Sequence, residues 1–119
     1  MNEEIETLLS GLKLTEISDF RVMNRPSAGA LNTMKAVTIL FGHAEIDATW
    51  ETGKKLMVSP KQFKQQLLEF DITSITNKML KSVNKITKSE EFASTKSPKA
   101  ASILTQWVLV VLSIVKGTK

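Results

Sequence analysis

The sequence predicts an all-α fold, a compact bundle of about six helices. Three observations carry that prediction. Apolar residues recur at steps of three and four through most of the chain. Proline-led helix starts recur, at Arg25-Pro26-Ser27, Ser59-Pro60 and Ser97-Pro98. No alternation of apolar and polar residues runs long enough for a strand. The 119 residues suffice for one domain, and 42% apolar content fits an ordinary core. There is no internal repeat and no low-complexity segment.

Residues 3–20 carry Ile5, Leu8, Leu9, Leu12, Ile17 and Phe20 at helical spacing, interrupted by Ser10-Gly11. This reads either as the end of a coiled-coil strand or as a lone amphipathic helix, and the spacing does not choose. Pro26 opens a helix that runs to Phe41, and Gly42 closes it. Its buried stripe is expected at Ala30, Met34, Val37 and Phe41, with Leu31, Lys35 and Thr38 on another face. His43 to Ile46 connects to a helix over 48–57, with Asp47 as N-cap and Trp50 packed inward. Ser59-Pro60 starts a helix over 61–70, with Phe63, Leu67 and Phe70 on one side.

Asp71 or Thr73 caps the next helix, which runs to about Lys88. Ile72, Ile75, Met79, Leu80, Val83 and Ile86 gather on one face of it, and Lys78, Lys81, Lys85 and Lys88 on the opposite face. Residues 89–96 form a polar link anchored by Phe92. In the last helix Ser97 is the N-cap, Pro98 takes the first position, and only Ser113 is polar between Trp107 and Val115. That run is shorter than the roughly 20 residues a bilayer span needs. A helix apolar nearly all round is expected to be surrounded by others, so this one is read as the central post.

Charge divides by position. Residues 1–51 hold eight acids and four bases; residues 52–119 hold four acids and twelve bases. Fourteen of the sixteen cations are lysine, the exceptions being Arg21 and Arg25. Such a half suits an anionic partner reached by long-range attraction, and argues against base-edge readout, which favours arginine. The chain has no cysteine, so neither disulfides nor thiolate chemistry operate. The start, Met1-Asn2-Glu3-Glu4, is acidic where a secretory signal would be basic.

Catalysis is not expected. His43 is the one histidine, with no metal-ligand cluster to join. Glu90 and Glu91 are adjacent and point apart on a helix. No phosphate-binding glycine loop occurs. No cofactor is implied.

Taken in order, these residues resemble the microtubule-binding domain at the stalk tip of dynein heavy chains. The resemblance spans nearly the whole chain. It begins with Ile17-Ser18-Asp19-Phe20-Arg21 and Arg25-Pro26, and continues through Ala36-Val37-Thr38-Ile39-Leu40-Phe41-Gly42, Trp50, Lys54-Lys55-Leu56, Phe63 and Leu67-Leu68-Glu69-Phe70-Asp71. Ile75, Lys78, Leu80 and Phe92 follow, then Lys99-Ala100-Ala101 and Trp107-Val108, a form more like axonemal than cytoplasmic heavy chains. No single match is specific; their order and spacing are.

The resemblance implies a helical globule (residues 25–116) on the base of an antiparallel coiled-coil stalk. Residues 1–24 would be the end of its first strand, and residues 117–119 the start of the second or simply the end of the chain. It implies tubulin as partner, gripped by the helices after Pro26 and Pro60 and by the start of the last helix, with affinity set by stalk register. ATP would be hydrolysed elsewhere in the heavy chain, which is the other partner, through the stalk. No nucleic acid or membrane is implied. The setting would be the cytoskeleton, and a ciliary axoneme rather than general cytoplasm.

By position, Lys96 matches a basic contact of the family and Lys99 follows one turn on. Lys61 and Lys64 lie on the helix after Pro60. The family often has lysine where this chain has Leu31; Lys35, with Asn32 beside it, is the candidate substitute. Pro26 marks the hinge, less constrained here because Ser27 replaces a second proline. The lysine stripe at 78–88 is off the family's usual binding surface and is expected to be solvated. Two other readings stand beside this one. One is a helical DNA-binding module using Lys61, Gln62, Lys64, Gln65 and Gln66. The other is a helical adaptor using residues 1–20.

Overall fold

The computed structural model describes residues 3–93 and 99–118. The caps expected at Ser97 and Pro98, and Lys96, lie outside the described residues. The fold is all-α as expected, but with more and shorter helices: eight α-helices and two 3-10 turns among the described residues, and no strand.

The chain opens with α1 (Glu3–Ser10) and α2 (Leu14–Arg21), parted at Gly11 where the sequence marked an interruption. Glu3, Glu4 and Glu6 favour the positive end of α1. Glu16 Oε1 accepts the Lys13 N–H at 2.8 Å and so caps α2. Ile5, Leu9, Leu12, Ile17 and Phe20 are all buried in the one core shared with the rest of the domain. Burying each contributes about 1.5–3 kcal/mol. That apolar face of α1 and α2 is therefore turned into the globule, while Glu3, Glu4 and Glu6 of α1 remain exposed.

Ser27 caps α3 (Ala28–Leu40), its hydroxyl accepting the Ala30 N–H at 3.2 Å. Gly42 ends the segment at φ +105°, a conformation that favours glycine. The expected stripe of Ala30, Met34 and Val37 is buried, and Phe41 half-buried. Thr38, expected on another face, is buried too; its hydroxyl donates to the Met34 carbonyl at 2.6 Å. Gly29, Thr33, Ala36, Ile39 and Leu40 complete the buried set. So α3 is the central post, contacting α4 (Trp50–Leu56), α6 (Asn77–Thr87), α7 (Glu90–Ala93) and α8 (Lys99–Thr118). Its small residues allow this. A Cβ added at Gly53 of α4 would meet Met34 Cε at 3.3 Å.

The last helix, α8, was the expected post. It buries Ala100, Ala101, Leu104, Trp107, Val108, Val111, Leu112 and Val115, yet leaves Leu109 41% exposed. It packs on α1, α2 and α3 but is not enclosed. By length and composition its stretch Lys99–Gly117 is apolar enough to cross a bilayer, longer than the sequence run suggested; half of it is buried inside the globule, as in a core helix.

Two caps differ from expectation. Thr49, not Asp47, caps α4, and Asp47 ends a 3-10 turn, Glu45–Asp47. Asp71 caps a second 3-10 turn, Ile72–Ser74, and Thr76 caps α6. Ile72 and Ile75 thus precede α6 rather than belong to it, though both pack on the core. Between α4 and the second 3-10 turn lies α5 (Pro60–Leu68), with Pro60 in its first turn and Phe63 and Leu67 buried. Trp50 packs inward as expected, 5.1 Å from the Phe20 ring.

Candidate functional site

The expected contact residues fall into two groups. The first surrounds the corner between α1 and α2. Lys64, on α5, donates from Nζ to the Leu12 carbonyl at 2.8 Å. Lys99, at the start of α8, places Nζ 3.6 Å from Glu16 Oε2, with Glu16 mostly shielded and the lysine exposed. Lys61 lies one turn before Lys64 and is exposed. Residues 12–16 thus draw α5 and the start of α8 together.

The second group is the solvent-facing edge of α3. Ala28 and Leu31 are exposed, Asn32 and Lys35 half-buried, at spacings of three, four and seven from Ala28. The Asn32 amide donates to Ser89 Oγ at 3.4 Å, beside the start of α7. Every later position of α3 after Lys35 is buried. Pro26, half-buried, leads into this edge.

Lys35, half-buried, and Lys61, exposed, meet no carboxylate among the described residues. Not every expected contact residue is equally free: Lys64 has a structural bond, Lys99 an ion pair. The α5 face proposed for DNA is partly committed, since Lys64 holds Leu12 and Gln65 bonds to Glu69. No group of three or more histidine or acidic side chains among the described residues is placed to hold a metal. His43 is exposed.

Two features escaped the sequence. Phe41, Phe63, Phe70 and Trp107 form one aromatic cluster, with Phe70 and Trp107 5.2 Å apart and nearly perpendicular. Phe63 and Phe70 share the side expected for their segment, but Phe41 and Trp107 come from α3's end and from α8, so no local pattern announces the cluster as a whole. Beside them opens a cleft of about 380 Å³ lined by Phe41, Gly42, Gln66, Phe70 and Met79 among others.

The site is thus an all-α globule whose exposed cations are almost all lysine. No protein-family model matches the chain. Its curated relatives are dynein heavy chains. It is 30% identical over 114 residues to Dynein axonemal heavy chain 1 of Mus musculus, 84% of this chain and 3% of that protein. The Homo sapiens protein of that name is 29% identical over the same share. Cytoplasmic dynein 2 heavy chain 1 of Caenorhabditis elegans is 26% identical over 111 residues, 89% of this chain and 3% of that protein. The chain is related to a segment of dynein heavy chains, as its sequence resemblance implied, and spans about 3% of the length of these relatives.

Proposed function

We propose that this chain is the microtubule-gripping globule of a dynein-type stalk, itself without catalytic activity. The observation that carries the reading is the relationship to dynein heavy chains along 84% of the chain. Two features of the fold support it. The first and last described helices, α1 and α8, are neighbours, which suits a globule between two stalk strands that enter and leave side by side. The edge of α3, with Lys35, and the exposed Lys61 and Lys99 offer cations to a filament surface. Residues 1–24 and 117–119 are then where the stalk begins, and Lys96 is a further contact.

Tubulin's outer surface is acidic, and lysine meets it as a flexible point charge. Each exposed pair is worth at most about 1 kcal/mol and is screened by salt. Several such contacts give a grip that can be released. A slide of α3 behind Pro26 would misalign part of the set, a hinge-and-shear transition driven from the stalk. The setting is the cytoskeleton, axonemal in the first instance, and the chemistry of ATP belongs to another part of the heavy chain.

Co-sedimentation with polymerised tubulin at low and moderate salt tests the reading, with a duplex-DNA shift assay beside it. Binding to tubulin that fades with salt, without binding to DNA, is expected. A chain that stays in the supernatant at low salt overturns it.

A further inference from the structure

Lys78, Lys81 and Lys85 stand exposed along α6 and Lys88 at its C-cap, while the opposite face of the helix buries Val83 and Ile86. We propose that this stripe is a docking surface for an acidic, extended polypeptide segment. The proposal does not rest on the tubulin reading and concerns a different part of the molecule.

The lysines are spaced three, four and three residues apart, so their roots rise along the helix in steps of about 4.5–6 Å. An extended chain places same-side carboxylates about 6.8 Å apart. Four-carbon lysine stems close that difference easily. Between them lies a shallow cleft of about 380 Å³ lined by Lys81, Asn84, Lys85 and Lys88. The Asn84 amide supplies both a donor and an acceptor, which suits the backbone of a guest strand.

The stripe already attracts one carboxylate. Glu45 lies 3.9 Å from Lys85, with the two side chains 42% and 71% exposed. That is a loose, solvent-screened contact which a guest carboxylate can displace. Lys78, Lys81 and Lys88 have no carboxylate partner among the described residues. Next to Glu45, Ile46 is 86% exposed and offers an apolar contact to a guest side chain. A peptide fits better than nucleic acid. The stripe carries no arginine to fork onto bases and no aromatic ring for them to stack on.

The test is fluorescence anisotropy of a labelled oligoglutamate peptide titrated with the full chain. Saturable binding that weakens with salt is expected. The double variant K81E/K85E should lower affinity about tenfold, and K81Q/K85Q by less, while K55E/K116E, an equal change of charge at exposed lysines off the stripe, changes it less than about twofold. Removing the internal competitor, Glu45→Gln, should tighten binding about twofold. Glu4→Gln, which changes net charge equally on α1, should leave it unchanged. Circular dichroism checks that each variant keeps its helix content. Equal losses for K55E/K116E and K81E/K85E, or equal gains for Glu45→Gln and Glu4→Gln, would mean attraction to net charge alone and overturn the proposal. So would tighter binding to duplex DNA than to the peptide.

Discussion

The Lys64 ammonium donates to the Leu12 carbonyl oxygen at 2.8 Å, tying α5 to the corner between α1 and α2. Leu12 itself is buried, and its carbonyl follows the last turn of α1. A charged donor to a backbone acceptor at a part-buried corner is worth about 1.5–3 kcal/mol. Lys64→Met keeps the stem and removes the bond. It should cost about 1–2 kcal/mol and lower the thermal midpoint by about 5 °C. Lys61→Met, one turn away and exposed, should cost less than about 0.5 kcal/mol. Thermal unfolding followed at the helix band of circular dichroism measures both. An unchanged midpoint for Lys64→Met would mean that the corner holds without the bond.

Thr33 and Thr105 join α3 to α8 through buried hydroxyls 2.7 Å apart. Thr105 has one proton, and it goes to the Ala101 carbonyl at 2.9 Å. Thr33 must therefore be the donor between them. The pair is asymmetric in consequence. Thr33→Val leaves Thr105 still bonded to Ala101. Thr105→Val leaves the buried Thr33 proton without its acceptor, at a cost of about 1–3 kcal/mol. Thr105→Val should thus destabilise more than Thr33→Val, and the double variant less than the sum. Urea unfolding of the four proteins gives the cycle. Equal single costs would reverse the donor assignment.

Helix starts that rest on one residue's covalent geometry were legible in the sequence, and starts that rest on competing side chains were not. Pro60 opens α5 as expected because its fixed φ suits a first turn. Asp47 and Thr49 are both good caps, as are Asp71 and Thr76. The choice fell to which of them the 3-10 turns claimed. The central post was misjudged for a different reason. Hydropathy singles out α8, but enclosure depends on how closely neighbours approach. The small residues Gly29, Ala30, Thr33, Ala36 and Thr38 let them crowd α3. Of the candidate site, the identity of the lysines was readable and their engagement was not. The partners of Lys64 and Lys99 are Leu12 and Glu16, far away in sequence, and only the packing of α5 and α8 on the corner brings them together.

Leu31 lies on the exposed edge of α3, 38% accessible, one turn before Lys35. If that edge faces tubulin, Leu31→Lys adds a cation where the resemblance to dynein heavy chains expects one. No buried contact of size is lost, so stability should change by less than about 0.5 kcal/mol. Affinity for polymerised tubulin should rise about two- to fivefold at low salt, and the gain should shrink as salt rises. Co-sedimentation at two salt concentrations measures it. A gain that persists unscreened at the higher salt would point to a cause other than the added charge.

Glu16 divides its carboxylate between two tasks, Oε1 capping α2 through the Lys13 N–H and Oε2 facing Lys99. Glu16→Gln separates them. The amide oxygen still caps α2, but the charge that holds Lys99 is gone. The exposed end of the ion pair limits its worth, so stability should fall by no more than about 1 kcal/mol. Lys99, freed, can turn outward, and affinity for tubulin should rise about twofold. In a Lys99→Met background the same substitution should give no rise, because there is no ammonium left to release. Co-sedimentation of the wild type, both single variants and the double variant closes the cycle. A rise that survives in the Lys99→Met background would show that Glu16 opposes the filament by its own charge rather than by holding Lys99.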